Sequence, residues 1–152
     1  MKMKLFRSFY ILAFMAISGL FACAGNQNQE STTQNDVVAL EKEVIAVHDE
    51  VMPKMGDIAR LSEVLDSEAM NPNLDSLTHA SILQVRAELN AGDSLMWDWM
   101  HNYNKPEGAP LDTLKAYLLS EKERVTKVRT TMLEAIRHAE SLAQKLGHGQ
   151  QN

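Results

Sequence analysis

The chain has 152 residues, of which 15 are Lys or Arg, 20 are Asp or Glu and one is cysteine; 45% are hydrophobic, and the formal net charge is −5. A single cysteine excludes an intramolecular disulfide and a thiolate zinc cluster. An acidic balance with no Lys/Arg cluster among aromatics excludes a nucleic-acid interface, and the length is that of one domain.

The chain opens MKMKLFRSFYILAFMAISGLFACAG. Lys2, Lys4 and Arg7 precede an uncharged apolar run from Phe9 to Ala22. That run is shorter than the ~20 residues a helix needs to cross a bilayer. This is the layout of a signal peptide, residues 1–22, rather than domain structure. It ends Leu20-Phe21-Ala22-Cys23, which resembles the bacterial lipobox. The resemblance implies cleavage before Cys23, a diacylglyceryl thioether on its sulfur and acylation of the new amino group. The competing reading is a plain secretory signal with an incidental cysteine. At about 0.8 kcal/mol per buried methylene, two or three acyl chains hold a protein firmly on a membrane. The lipid on Cys23 is the one covalent group expected, and no other cofactor is implied.

Processing takes 152 residues to 130 by removing 22, and leaves 12 basic side chains (15 less 3) against 20 acidic ones. The formal charge becomes −8. Residues 23–35 comprise Cys23 and then AGNQNQESTTQN, which has no aliphatic side chain larger than alanine. Such a stretch cannot bury itself and reads as a flexible tether. In lipoprotein families where residues after the lipidated cysteine direct sorting, an acidic residue there carries information. Ala24 and Gly25 follow here, and by that resemblance the expected address is the outer membrane, facing the periplasm.

Two proline-bearing breaks, DSEAMNPN and NYNKPEGAP, divide the remainder into three segments with a helical apolar period. The first, 36–67, carries Val37, Leu40, Val44, Val47, Val51, Met55, Ile58 and Leu65. The second, 74–103, carries Thr78, Ile82, Val85, Leu89, Gly92, Met96, Trp99 and Tyr103. The third, 111–146, carries Leu111, Leu114, Leu118, Val125, Val128, Met132, Ala135, Ala139, Leu142 and Leu146. No segment alternates like a strand. The expected fold is all-α, an elongated antiparallel three-helix bundle over 36–147 with a polar tail at 148–152. Asp36 is a candidate N-cap, Asp112 lies in the first turn of the third helix, and Gly147 and Gly149 stop it.

His48 lies on the first apolar stripe, between Val44 and Val51. Matching helix levels across the turns places it near Gly92 or Asp93 and near Glu121 or Lys122, where the third stripe lapses into charge. A buried imidazole needs partners, so a polar layer of His48, Asp93 and Glu121 is expected, and a hydrogen-bonded core histidine is its simpler form. Its sharper form is a divalent-metal site, with Met52 as a further ligand. A thioether variant joins Met52, Met55, Met96 and Met100 with His48 or His101 to bind Cu(I). Core packing is the stronger reading of those methionines, because Met fills irregular gaps and no repeated His spacing is present.

Pro53 interrupts the first helix by withholding an N–H from the Asp49 carbonyl, yet the stripe keeps register across it. A kinked but continuous helix is expected. Trp97 and Trp99 are two residues apart and point to nearly opposite sides of a helix. Trp99 belongs to the core; Trp97 falls with Asp93 and His101 on a face that should be solvated. It is therefore a candidate partner anchor with His101, or a wedge between helices.

The stretches HDEVMPKMG (48–56) and MWDWMHNY (96–103) resemble a group of small lipoproteins of Bacteroidota-type bacteria, sometimes labelled "viral A-type inclusion protein" from loose coiled-coil similarity. The resemblance spans the lipobox and all three helices. It implies a helical envelope lipoprotein of unassigned role and carries no catalytic residue across. No phosphate loop, nucleophile elbow, zincin helix or calcium loop is present in the sequence. The expected function is non-enzymatic: a lipid-anchored interaction or scaffold module whose partner is an envelope protein or a second copy of itself. Two other readings stand beside it: a periplasmic copper or zinc binder using His48, and a chaperone-like helical binder of envelope proteins.

Overall fold

The computed structural model describes residues 24–149, with side chains from 31 to 147. The expected signal peptide at 1–22, Cys23, where lipidation is expected, and the last residues of the expected polar tail lie outside the described residues. Four helices follow in order: α1 (Ala24–Val51), α2 (Lys54–Ala69), α3 (Ser76–Asn102) and α4 (Leu111–Gly149). Among the described residues there is no strand, and no helix is long and apolar enough to cross a membrane.

From Val37 onward these helices form an antiparallel bundle in which α1 and α2 together make the first of three rods. Pairing across α3 and α4 runs in opposite senses: Glu88 meets His138, Gly92 meets Met132, Trp99 meets Glu121 and Asn104 meets Tyr117. The first rod is antiparallel to α3, through Asp66 with Arg86 and Ile58 with Gly92. It is parallel to α4, through Glu43 with Lys122 and, two turns on, Glu50 with Arg129.

The expected stripes are the buried faces. Val37, Val44 and Val51 of α1, Ile58 and Leu65 of α2, Ile82, Leu89, Met96 and Trp99 of α3, and Leu118, Val125, Val128, Met132, Ala135 and Ala139 of α4 form one core. Leu61 and Ile136 join it although the three-and-four count had passed over them. Burial of each such aliphatic side chain contributes about 1.5–3 kcal/mol, which the ordering of the chain largely offsets. A close approach occurs at Gly92, where an added Cβ would lie 3.3 Å from the Met132 Cα.

Several boundaries differ from expectation. Residues 24–35, read as a tether, are helical, and Asp36 is interior rather than an N-cap. The stretch holds only one glycine and no proline, and helix propensity does not require burial of a face. Pro53 divides the expected single bent helix into two, joined by Met52 and Pro53. The backbone stays right-handed there, with φ −61° and ψ −22° at Pro53. Deprived of the Pro53 N–H, the ladder shortens: Met55 and Gly56 donate to the carbonyls three residues back, Met52 and Pro53, at 3.2 and 3.3 Å. The last helix runs through Gly147 to Gly149.

The two connections have distinct local causes. Asp75 caps α3, its Oδ1 accepting from the Leu77 and Thr78 N–H groups at 3.0 Å and its Oδ2 from the Thr78 hydroxyl. In the 103–110 connection Gly108 has φ +69°, a conformation that side chains with a Cβ rarely adopt.

Candidate functional site: an aromatic and acidic layer

The residues that depart from simple core packing gather where α1, α3 and α4 meet. Trp99 is set on the inner face of α3 by the stripe, and the gap in the α4 stripe between Leu118 and Val125 is filled by Glu121, only 3% exposed. The Trp99 indole N–H donates to Glu121 Oε2 at 2.9 Å, and Arg124, one turn along α4, donates to Oε1 at 2.7 Å. Both carboxylate oxygens thus have a donor, which is what allows a carboxylate to remain inside. The Arg124 guanidinium itself reaches solvent, its side chain 43% exposed.

From this anchor a column of rings extends. His48 lies 5.5 Å from Trp99 between centroids, Trp99 lies 5.1 Å from Tyr103, and Tyr103 lies 6.0 Å from Tyr117, each pair tilted. Tilted contacts of this kind suit the quadrupoles of the rings. Trp99 and Tyr103 are four residues apart on one helix face, so the sequence spacing alone stacks them. The Tyr117 hydroxyl accepts the Asn104 N–H at 2.8 Å. The Tyr103 hydroxyl is buried with no hydrogen-bond partner in the structure. Burial first, then the charges of Glu41, Tyr117 and Glu121, push the Tyr103 phenol above its ordinary pKa; burial raises Tyr117 as well, against the opposing Asn104 hydrogen bond. Ile45, His48, Trp99, Met100 and Tyr103 line a shallow cleft of about 190 Å³.

The chain matches no family model, no curated protein and no solved structure. Its functional reading therefore rests on residues and geometry.

The structure does not bring His48, Asp93 and Glu121 together as the expected polar layer. Glu121 is buried where the stripe gap implied, but its partner across the bundle is Trp99 rather than His48. Gly92 meets Ile58, and His48 meets Trp99, seven residues or two helical turns further along α3. α2 extends to Ala69 and α3 begins at Ser76, so the turn lies two residues further along than the proline-bearing break implies; that moves each antiparallel partner about four residues along α3 and accounts for part of the offset. Asp93, next to Gly92, is half-buried at that other level. His48 is partly exposed, and its Nδ1 donates to its neighbour Asp49 at 2.9 Å. Among the described residues no three His, Cys, Asp or Glu side chains stand close enough to hold a metal ion together. Met96 is fully buried, while Met52, Met55 and Met100 pack against the core from its margin. Chemically, Glu121 is a satisfied acid inside an aromatic sheath, its two oxygens engaged by Trp99 and Arg124.

Trp97 is 48% exposed and so does not wedge between helices. His101 braces it: the rings are 5.9 Å apart, and His101 Nδ1–H donates to the Trp97 carbonyl at 2.7 Å. Sequence reasoning missed the Trp99–Glu121 bond and the ion pairs Glu41–Lys105, Glu43–Lys122 and Glu50–Arg129. The signal for Glu121 was the missing apolar residue in its stripe. The ion pairs had no signal beyond charges at opposing surface positions.

Proposed function

We propose that the chain is a lipid-anchored, non-catalytic helical binding module of the bacterial cell envelope, acylated at Cys23 and held at the outer membrane facing the periplasm. The anchor is argued from the LFAC sequence and the charged and apolar segments before it. The observation that carries the binding reading is Trp97. It is a large aromatic side chain left half in solvent on α3, flanked by the part-exposed Leu95 and in tilted ring contact with His101. An aromatic ordered before its partner arrives loses little rotamer freedom on docking, which is the usual profile of an interface hot spot.

The test has two arms. Mass spectrometry of the mature N-terminus expects a diacylglyceryl group on Cys23 and an unprocessed, unlipidated chain in Cys23→Ser; an unmodified mature cysteine would defeat the anchor. Site-specific photocrosslinking from position 97 in intact cells expects a discrete adduct, either with an envelope protein or with a second copy of the chain. If position 97 yields no adduct beyond that of an exposed polar site such as Asn90, the binding face is elsewhere and the reading fails.

A further inference from the structure

The seams of the bundle are of two kinds. Where α2, α3 and α4 meet, the packing is close and apolar: Ile58, Leu61 and Leu65 pack with Ile82, Leu89 and Met132, and Gly92 admits the α4 backbone. The seam that seats α1 is mixed. It contains Val37, Val44 and Val51, but also the buried Glu121, the unpartnered Tyr103 hydroxyl and the unfilled cleft beside His48. Arg129 Nε, also buried, stands 3.1 Å from Glu50 without hydrogen-bond geometry. Leu40 and Val47 pack against the core from its margin, and the charged attachments of α1 include Glu41 with Lys105 and Glu43 with Lys122, at 2.5 and 2.6 Å. Every side chain in these three charged contacts is a third or more exposed, so salt screens them. The acids are all on α1 and the bases all opposite it. At the C-terminal end of this segment lies the Met52–Pro53 break, with long three-back hydrogen bonds and with Gly56 in open space.

We infer that residues 37–51 form a strap that undocks as a unit about the Met52–Gly56 turn while α2, α3 and α4 stay packed. Local opening follows the weakest set of contacts, and here these coincide with a backbone break that confines the motion. Opening uncovers Trp99, Met96 and Val125 without disturbing the Gly92–Met132 contact. On the anchored reading the strap is also the part of the bundle nearest the lipid in sequence, but the opening itself does not depend on that reading.

Hydrogen–deuterium exchange of the full chain tests it, with no need for a lipid or a partner. The amides of Val44 to Val47 are expected to exchange at least about tenfold faster than those of Leu89 to Met96. The gap is expected to widen in about 0.5 M NaCl and in the Glu43→Gln/Glu50→Gln variant, with α3 unchanged. Pro53→Ala, which returns an N–H to the Asp49 carbonyl, is expected to narrow it. Equal protection of α1 and α3 in the unsubstituted chain would overturn the inference. So would loosening of α3 in step with α1, which would mean that the bundle opens only as a whole, or a Pro53→Ala variant that leaves the gap unchanged.

Discussion

The Trp99 indole N–H and the Glu121 carboxylate meet across the α3–α4 interface at 2.9 Å, a neutral donor on a buried acid. Each makes the other tolerable inside the bundle, and the pair is informative only when cut from both sides. Glu121→Leu leaves the Trp99 N–H buried without an acceptor and is expected to cost about 2 kcal/mol. Trp99→Phe removes the donor but retains a ring. In a double-mutant cycle measured by chemical denaturation, Trp99→Phe with Glu121→Leu should recover at least about 1 kcal/mol relative to the sum of the single changes. Strict additivity would show that the bond contributes nothing.

Tyr103 supplies the opposite case, a buried hydroxyl with no partner. Tyr103→Phe is expected to be neutral or to stabilise by up to about 1 kcal/mol, since it removes a desolvated group and leaves the ring stack. The phenol also gives the alkaline limb of stability its sign. Its folded pKa is raised above the ordinary value of 10.0, so the native state holds the proton more tightly than the unfolded chain. The resulting stabilisation is complete below pH 10.0 and is lost as pH rises through the folded value. Urea midpoints between about pH 9 and 11 should fall less steeply for Tyr103→Phe than for the parent chain.

Asp75 governs the acid side at the start of α3. The Thr78 hydroxyl and the Thr78 and Leu77 N–H groups hold its carboxyl below the ordinary 3.8. A depressed folded pKa gives stability that is present above the unfolded value and disappears as pH falls through the folded one. Asp75→Ala should therefore lower the thermal midpoint at neutral pH, and that difference should shrink as pH is taken below 3.8. A difference independent of pH would show that the cap does not act through its charge.

Gly92 is the packing test. A Cβ there meets the Met132 Cα at 3.3 Å and the Ile58 Cδ1 at 3.6 Å, so a larger side chain must separate α3 from α4 and α2. Gly92→Leu is expected to destabilise by about 3 kcal/mol or more, despite leucine's better helix propensity. Gly56→Leu, at a site with nothing within 4 Å of an added Cβ, is the control and should not destabilise. Equal effects of the two would remove the close approach as the cause.

The histidine that first suggests a metal site yields a direct measurement. Protein purified without a histidine tag, with and without His48→Ala, is expected to carry the same metal content by elemental analysis. The His48 ring lies on Trp99 and its Nδ1 is engaged by Asp49. Stoichiometric copper or zinc that disappears in the variant would establish the metal reading.

Sequence alone determined the helices and their buried faces, because a three-and-four apolar period is a local property that burial enforces everywhere along a rod. It also located Glu121, since an acid standing in an apolar stripe must find partners, and it placed Trp99 inside by its stripe, while leaving Trp97 open between an exposed anchor and a wedge between helices. Only the tertiary structure decided which residues meet. Register depends on where the connection between α2 and α3 falls and on how the rods settle against each other, and His48 meets Trp99 rather than Gly92. Whether Pro53 bends a helix or divides it depends on which carbonyls can receive the displaced N–H groups, and on how loosely α1 is held. Periodicity says which face is buried. Long-range geometry says against what.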